Sequence, residues 1–301
     1  MKQRCAALET LFARSQAQPA ADGNAVLAKI FGQPAGFGVA PFMRLADTGE
    51  RDAGFYFCAD PVHLAPDRDQ LVMLPLSVLQ VQREEARALA ETFHRTFEAE
   101  GYRLETPYPE RWYLRVPAPL SCLTHEPAQL AGGPVFEFMP QGAAGQRLRQ
   151  LMNEVQMLFY EHPVNQAREA AGRPTINSLW LWGGGYLPDI PVTGPARVLT
   201  DNPLIAGLAR FAGSEFSAWT GKLDIPLESE KQWIAIDCTT DSALTQLEER
   251  LASPLLRALR YGRIDELMIY PGNQRCYRIT RASLRQFWRR HRSLPDILRA
   301  A

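Results

Sequence analysis

No apolar run in this 301-residue chain approaches the roughly 20 residues that a membrane-spanning helix needs, so no membrane role is expected. Cysteine is scarce. Cys5, Cys58, Cys122, Cys238 and Cys276 are odd in number, widely scattered and free of any C-x-x-C pair. That argues against a disulfide framework or a zinc ribbon and for a reducing compartment. Histidine is equally sparse, and after Asn177 the sole one is His291. No charge of either sign is in excess: the formal net charge is +0, which leaves no global field to favour nucleic acid or a membrane surface. Lysine is rare beside arginine, a bias that genome composition explains as well as anion binding does. Several motifs are also absent. There is no G-x-S-x-G elbow for a hydrolase triad and no H-E-x-x-H. Lys2 and Arg4 are followed too soon by Glu9 for a secretory leader, so a cytoplasmic protein is expected.

What is present is ordinary for a globular chain: 46% hydrophobic and 22% charged residues, enough for a substantial core in one or two domains. Apolar spacing predicts helices over 5–12, 24–31, 83–100, 146–161, 204–211, 242–251, 254–260 and 281–290. Strands are expected over 54–58, running on into Ala59-Asp60-Pro61-Val62-His63, and over 71–74, 102–106, 112–116, 178–182, 196–200, 233–237, 266–270 and 277–280. The last two flank Pro271-Gly272-Asn273, a hairpin signal. Residues 16–23 read as an Ala- and Pro-containing loop, and 118–145 as irregular. The fold class is therefore α/β, with mixed sheets and flanking helices. The expected division is a mixed α/β portion over 1–145 and a strand–helix portion over 146–301, with one continuous domain as the alternative. There is no internal repeat and no low-complexity tract.

The chain is organised around HPVNQAREAAGRPTINSLWLWGGGYLP, which begins at His162. Pro163 marks a helix boundary, and Asn165 is a candidate cap for the new turn. Asn165 and Arg168 fall three apart on one helical face. Gly172 and Pro174 stop the helix. Ser178 to Trp182 reads as a short buried strand with apolar side chains on both faces. Gly183, Gly184 and Gly185 follow, where a ligand or another backbone can approach closely. As a phosphate cradle the glycine run is weak. It lacks the Gly-Lys-Ser/Thr of a P-loop and the last glycine of G-x-G-x-x-G, so a tight packed turn is the competing reading.

This segment, with its N-x-x-R…G…N-x-x-W-x-W-G-x-G pattern, resembles the cofactor-independent phosphoglycerate mutases of the archaeal type, in the alkaline-phosphatase superfamily. Together with ADPVHL (59–64), NEVQM (153–157) and FWRR (287–290), it also resembles bacterial RpfE-type regulatory proteins over most of the chain. The resemblance implies a degenerate alkaline-phosphatase or mutase-like fold. It also implies, for the mutases, a hydroxyl nucleophile and Asp/His clusters around paired metals. The residues here do not supply that set. The only early Asp-Gly, Asp22-Gly23, follows a loop rather than a strand, and beside Asp237 and Asp241 the matching histidine is missing. No metal, cofactor or catalytic residue is assigned, and the reading leans away from an enzyme.

The residues left as candidate ligand contacts are Asn165, Arg168, Asn177, Gly183, Gly184 and Gly185, with Asp60 and His63 as an isolated acid–base pair. Arg168 suits a phosphate oxyanion because its guanidinium offers two parallel donors. The structural alternative is an ion pair with a carboxylate that fixes the turn. For Asp60 and His63 the alternative is a closed turn with His63 bonded locally. His94 reads as a surface residue on its helix, and His125 and His162 have no partner at metal-ligand spacing. The expected function is a non-catalytic regulatory protein that binds a small anionic metabolite or a protein partner. A mutase-like or other phosphate-handling enzyme is one alternative. A DNA-binding regulator using Arg281, Arg285, Arg289, Arg290 and Arg292 is another, set against an amphipathic helix that docks Leu284, Phe287 and Trp288.

Overall fold

Four antiparallel strands carry the Trp-Gly segment. The computed structural model describes residues 5–20, 23–67, 70–130, 134–190, 193–219, 232–235, 246–286 and 293–294. It separates into two units: Phe37–Ile190, and Met1–Gly36 together with Pro191–Ala301. Gly145 stands at the expected boundary. It falls inside the helix Gly142–Tyr160, and the Trp-Gly strand beyond it pairs with a strand from the first half of the chain. Strand pairing across some 120 residues holds these segments in one unit.

In the Phe37–Ile190 unit the elements are α3 (Ala40–Thr48), β2 (Phe55–Val62), β3 (Leu64–Asp67), β4 (Gln70–Met73), α4 (Leu76–Leu79), α5 (Arg83–Phe97), β5 (Arg103–Tyr108), β6 (Arg111–Val116), α6 (Gly142–Tyr160), α7 (Pro163–Ala170) and β7 (Ser178–Gly185). The sheet order is β5-β6-β2-β7, all antiparallel. Central β2 buries every residue from Tyr56 to Val62, and β7 buries Ser178 to Trp182. Both therefore read as apolar on each face, as doubly covered strands do. Helices α3 and α6 pack on β7, and α5 packs on β5. Along α5, Ala86, Leu89, Ala90, Phe93 and Phe97 form the buried stripe that the spacing predicts. At its start Glu85 Oε2 accepts the Gln82 N–H at 2.8 Å.

The other unit holds β1 (Gln16–Pro19) and β8 to β12: Arg197–Thr200, Glu215–Ser217, Gln232–Ala235, Glu266–Ile269 and Arg275–Thr280. Among the described residues they form an antiparallel sheet, β1-β12-β11, and a parallel one, β10-β8-β9. The fold is thus mixed α/β, as expected. The loop expected at 16–23 is in part a strand. Exposed β1 gains its hydrogen bonds by lying along β12, a long-range partner that overrides its weak local preference. The first helix, Ala6–Ala13, is capped from afar, because Glu248 accepts the N–H groups of Ala7 at 2.5 Å and Leu8 at 2.9 Å. No helix among the described residues is long and apolar enough to cross a membrane.

Trp180 is 1% exposed, and its indole N–H donates to the His125 carbonyl at 2.7 Å. Trp180→Ala is expected to cost about 3–5 kcal/mol, as truncation of a buried large side chain does. Chemical denaturation measures this, and an unchanged midpoint would show an exposed ring instead.

Candidate functional site

The polar side chains of the organising segment turn inward. Asn165 does not cap α7; His162 does, its Nδ1 accepting the Val164 N–H at 3.2 Å. The fully buried Asn165 instead spans two chain segments. Its amide donates to the carbonyls of Phe159 and Ile176 at 2.8 and 2.9 Å, and its Oδ1 accepts the Ile176 N–H at 2.8 Å. Both of its amide hydrogens and one lone pair of its oxygen are thereby used. Asn177 clasps Leu64 in the same manner, donating to its carbonyl and accepting its N–H, both at 2.8 Å.

Arg168 is 1% exposed. It donates from Nε to the Pro174 carbonyl at 2.6 Å, from Nη1 to Glu85 Oε2 at 2.6 Å, and from Nη2 to the Leu79 carbonyl. Burial pulls its ordinary high pKa downward, while Glu85 opposes that pull. Arg173 adds a second cation on Glu85 at 3.0 Å and donates to the Gln80 carbonyl at 3.0 Å. The ion-pair alternative for Arg168 is therefore the one the geometry supports, with Glu85 as the partner. The expected phosphate contact has no free face to offer.

The glycine run is likewise filled. Gly183 adopts φ +67, and a Cβ there would overlap Val39; a Cβ on Gly184 would overlap the Phe57 ring. Gly185 lies against Gly38, and the Gly183 N–H is taken by Thr124 Oγ1 at 3.1 Å. The close approach is by protein, not by an anion. The Asp60–His63 pair is also separated. His63 Nδ1 turns to the carbonyl and hydroxyl of Thr175, at 2.8 and 3.1 Å. Asp60 turns instead to the Trp182 indole, and His63 lies just beyond the end of β2. Half-buried His94 is not simply a surface residue: its Nε2 accepts the Leu104 N–H at 3.1 Å.

Asp60 lines a cavity. Strand β2 pairs with β6 only as far as Cys58 opposite Tyr113, while its pairing with β7 continues to Val62. The sheet thus opens on one side just where Pro61, which has no N–H to give, enters the strand. Continuing the broken register by two residues would set Asp60 opposite Arg111. The gap is a cavity of about 450 Å³, walled by Met43, Leu76, Leu79, Val81 and Trp182, with Asp60 and Arg111 as its charged groups and Glu110 at the edge. One wall passes through Gln80, which holds a left-handed backbone at φ 44, a strained conformation for a non-glycine residue. The carbonyl of Gln80 is pinned by Arg173 and by Gln82, and that of Leu79 by Arg168.

Within this cavity Asp60 is 8% exposed, and its Oδ2 accepts the Trp182 indole N–H at 2.8 Å. Burial is the main cause that pushes its carboxyl up to about 7, with Glu126 adding to the shift and the Trp182 bond and Arg111 working against it. Arg111 gives Nε and Nη2 to Asp47 at 2.9 and 3.0 Å, and Tyr113 donates its hydroxyl to Asp47 at 2.6 Å. Cys58, wholly buried beside Asp60, is held well above its ordinary range by desolvation first. Strand-end reasoning found Asp60. Arg111, Asp47 and Trp182 were visible as residues but not as a group, since only the register joins them. A buried indole N–H that needs an acceptor was the one readable signal.

Among the described residues no three His, Cys, Asp or Glu side chains converge to hold a metal ion. Asp22, Asp237, Asp241 and His291 lie outside the described residues, as do 287–292 of the Arg-rich tail. No step through a metal is assigned.

No family model matches the chain. Among curated proteins, the probable 2,3-bisphosphoglycerate-independent phosphoglycerate mutase of Geobacter sulfurreducens is 31% identical over 146 residues, 47% of this chain and 35% of that protein. The 2,3-bisphosphoglycerate-independent phosphoglycerate mutase of Methanosarcina barkeri is 28% identical over 160 residues, 50% of this chain and 40% of its own. The homologues are phosphoglycerate mutases. The chain spans well under half the length of these two relatives. The solved cofactor-independent phosphoglycerate mutase from Thermoplasma acidophilum superposes with a TM-score of 0.48 at 17% identity, covering 91% of this chain and 81% of its own.

Arg168→Lys is expected to destabilise the protein by about 1–3 kcal/mol, since an ammonium cannot reach three separated acceptors. Denaturation with and without 3-phosphoglycerate reads this out. A loss seen only with the ligand present would restore the ligand-contact role.

Asp60 generates a second expectation. Its carboxyl is raised from 3.8 to about 7 in the fold. Between those values the folded protein keeps a proton that the unfolded chain has released. Asp60 therefore lowers stability as pH rises through that window, by up to about 1.4 kcal/mol per pH unit. Asp60→Asn keeps an acceptor for Trp182 and stays uncharged, so its stability relative to the parent should climb from pH 4 to pH 8. A difference flat in pH, measured by urea denaturation, would refute the raised value.

Proposed function

We propose that this chain is a phosphoglycerate-mutase-related protein of the RpfE regulatory type, which binds a ligand or partner without mutase turnover. The relationship to the mutases rests on sequence. The non-catalytic reading rests on one observation. In the segment that resembles those enzymes, Asn165, Arg168 and Asn177 are bonded within the fold, and the glycines are packed by Val39, Phe57 and Gly38. Residues that would face a phosphorylated three-carbon acid serve here as clamps. Of the two expected classes of partner, a small anion has thereby lost its best contacts in this segment. The cavity at Asp60 is the place in the Phe37–Ile190 unit where a small molecule would bind, with a size inside the range of ordinary ligand sites.

Mutase activity is the second reading, favoured by the relatives, which are phosphoglycerate mutases. Turnover of 3-phosphoglycerate with manganese, cobalt or zinc supplied decides between the two. The expected result is no conversion above background. Sustained conversion abolished by chelator would replace the regulatory reading with the enzymatic one.

A further inference from the structure

The cavity at the open end of β2 has a chemical character of its own, and it is not that of an anion site. Its only buried charged group is a carboxyl. Asp60 Oδ2 is occupied by the Trp182 indole N–H. Oδ1 has no hydrogen-bond partner among the described residues, and it is left to the cavity that Asp60 lines. A carboxylate accepts at both oxygens, so the cavity meets an unfilled acceptor on a residue that is itself only 8% exposed. The one cation, Arg111, spends two of its donors on Asp47, which balances its charge at 2.9 Å. Glu110 stands at the edge, and Glu126 lies close enough to act on Asp60. Counting Asp47, Asp60, Glu110 and Glu126 against Arg111, carboxylates exceed cations around this space. A phosphate ester would meet that excess with repulsion, whereas a cation would relieve it.

The remaining surface is apolar. Met43, Leu76, Leu79, Val81 and the indole of Trp182 form the walls. An indole face adds attraction for an alkylammonium group, and apolar walls need an apolar body to displace their water. We propose that this cavity binds a small organic amine in its protonated form, with the ammonium on the free oxygen of Asp60 and an apolar body against Leu76, Leu79, Val81 and Trp182. The inference rests on the ligand-binding part of the reading above, and it is independent of whether the chain turns over a phosphoglycerate.

Three probes of one shape test it: 2-phenylethylamine, 2-phenylethanol and phenylacetate, titrated calorimetrically into the full chain at pH 8, with 3-phosphoglycerate as a fourth. The amine is expected to bind at least tenfold more tightly than the alcohol, and the two acids are expected not to bind. The preference for the amine over the alcohol should shrink below pH 7, where Asp60 takes up its proton; Glu110, Glu126, Asp47, Arg111 and Cys58 are the other titratable groups around it. Asp60→Asn should erase the preference, with its melting temperature recorded to show that it folds. Leu76→Trp fills the cavity and leaves Asp60 in place, so it should weaken the amine at least tenfold. Equal affinity for amine and alcohol, tightest binding by either acid, or amine binding untouched by Leu76→Trp would each overturn the proposal. Absence of binding by all four probes would overturn both the amine site and the small-molecule part of the functional reading. Mutase turnover with amine binding intact would overturn only the non-catalytic reading.

Discussion

The guanidinium of Arg168 ties three segments of the Phe37–Ile190 unit together. It is buried, and it reaches the chain just before β7 through Pro174, the first turn of α5 through Glu85, and the end of α4 through Leu79. Glu85 and Leu79 lie 83 and 89 residues from Arg168 in sequence. A buried cation tolerates such a position only when each donor finds an oxygen, so the geometry of all three segments is specified together. Glu85 answers the charge while it also caps α5 and accepts Arg173. Loss of either member would strand the other, which makes the pair a constraint on the fold more than a source of net stability.

The consequence reaches the cavity. Leu79, Gln80 and Val81 form one wall. Their path includes a left-handed Gln80 that no local preference would choose. Arg168 holds the Leu79 carbonyl, while Arg173 and Gln82 hold the Gln80 carbonyl. The segment that resembles a ligand-handling motif therefore acts at one remove, shaping a wall of the space where Asp60 sits. The opposite boundary is set by β7, since Trp182 both lines the space and fixes one oxygen of Asp60. Shape and chemistry of the pocket thus derive from the same stretch, although the residues first singled out there do not face it.

Much of the fold was readable. Helix α5 announced itself by its stripe and by Gly101, and β7 by an unbroken apolar run ahead of glycines. The hairpin of β11 and β12 was marked by its Pro-Gly-Asn turn. Helix α3 went unread, although Pro41 in its first turn and Gly49 at its end with φ 77 are the usual start and stop signals. Strand β1 was not readable, because nothing local makes Gln16–Pro19 extended without β12 beside it. The pairing of β2 with β7 was not readable for the same reason, since the two strands meet only in three dimensions. At the site, residue types were informative but roles were not. Arg168 has the same sequence neighbours whether its donors face an anion or Glu85, and Glu85 lies 83 residues away. Asp60 was found, but its partner proved to be Trp182, 122 residues on, rather than the near neighbour His63.

The motif that resembles the mutases has a use in the fold itself. Asn165 and Asn177 each close a two-way bond with backbone, and the glycines admit Phe57, Val39 and Gly38. Each of these roles is independently demanding: a clasped backbone needs an amide, and a packed turn at φ +67 needs glycine. Selection for folding alone would retain such residues, so their presence is accounted for by architecture. Asp60 is different. A buried carboxyl raised to about 7, with one oxygen idle, contributes nothing to stability at neutral pH that an asparagine would not. A residue the fold would be more stable without, placed where β2 parts from β6, is where a function separate from folding is to be sought.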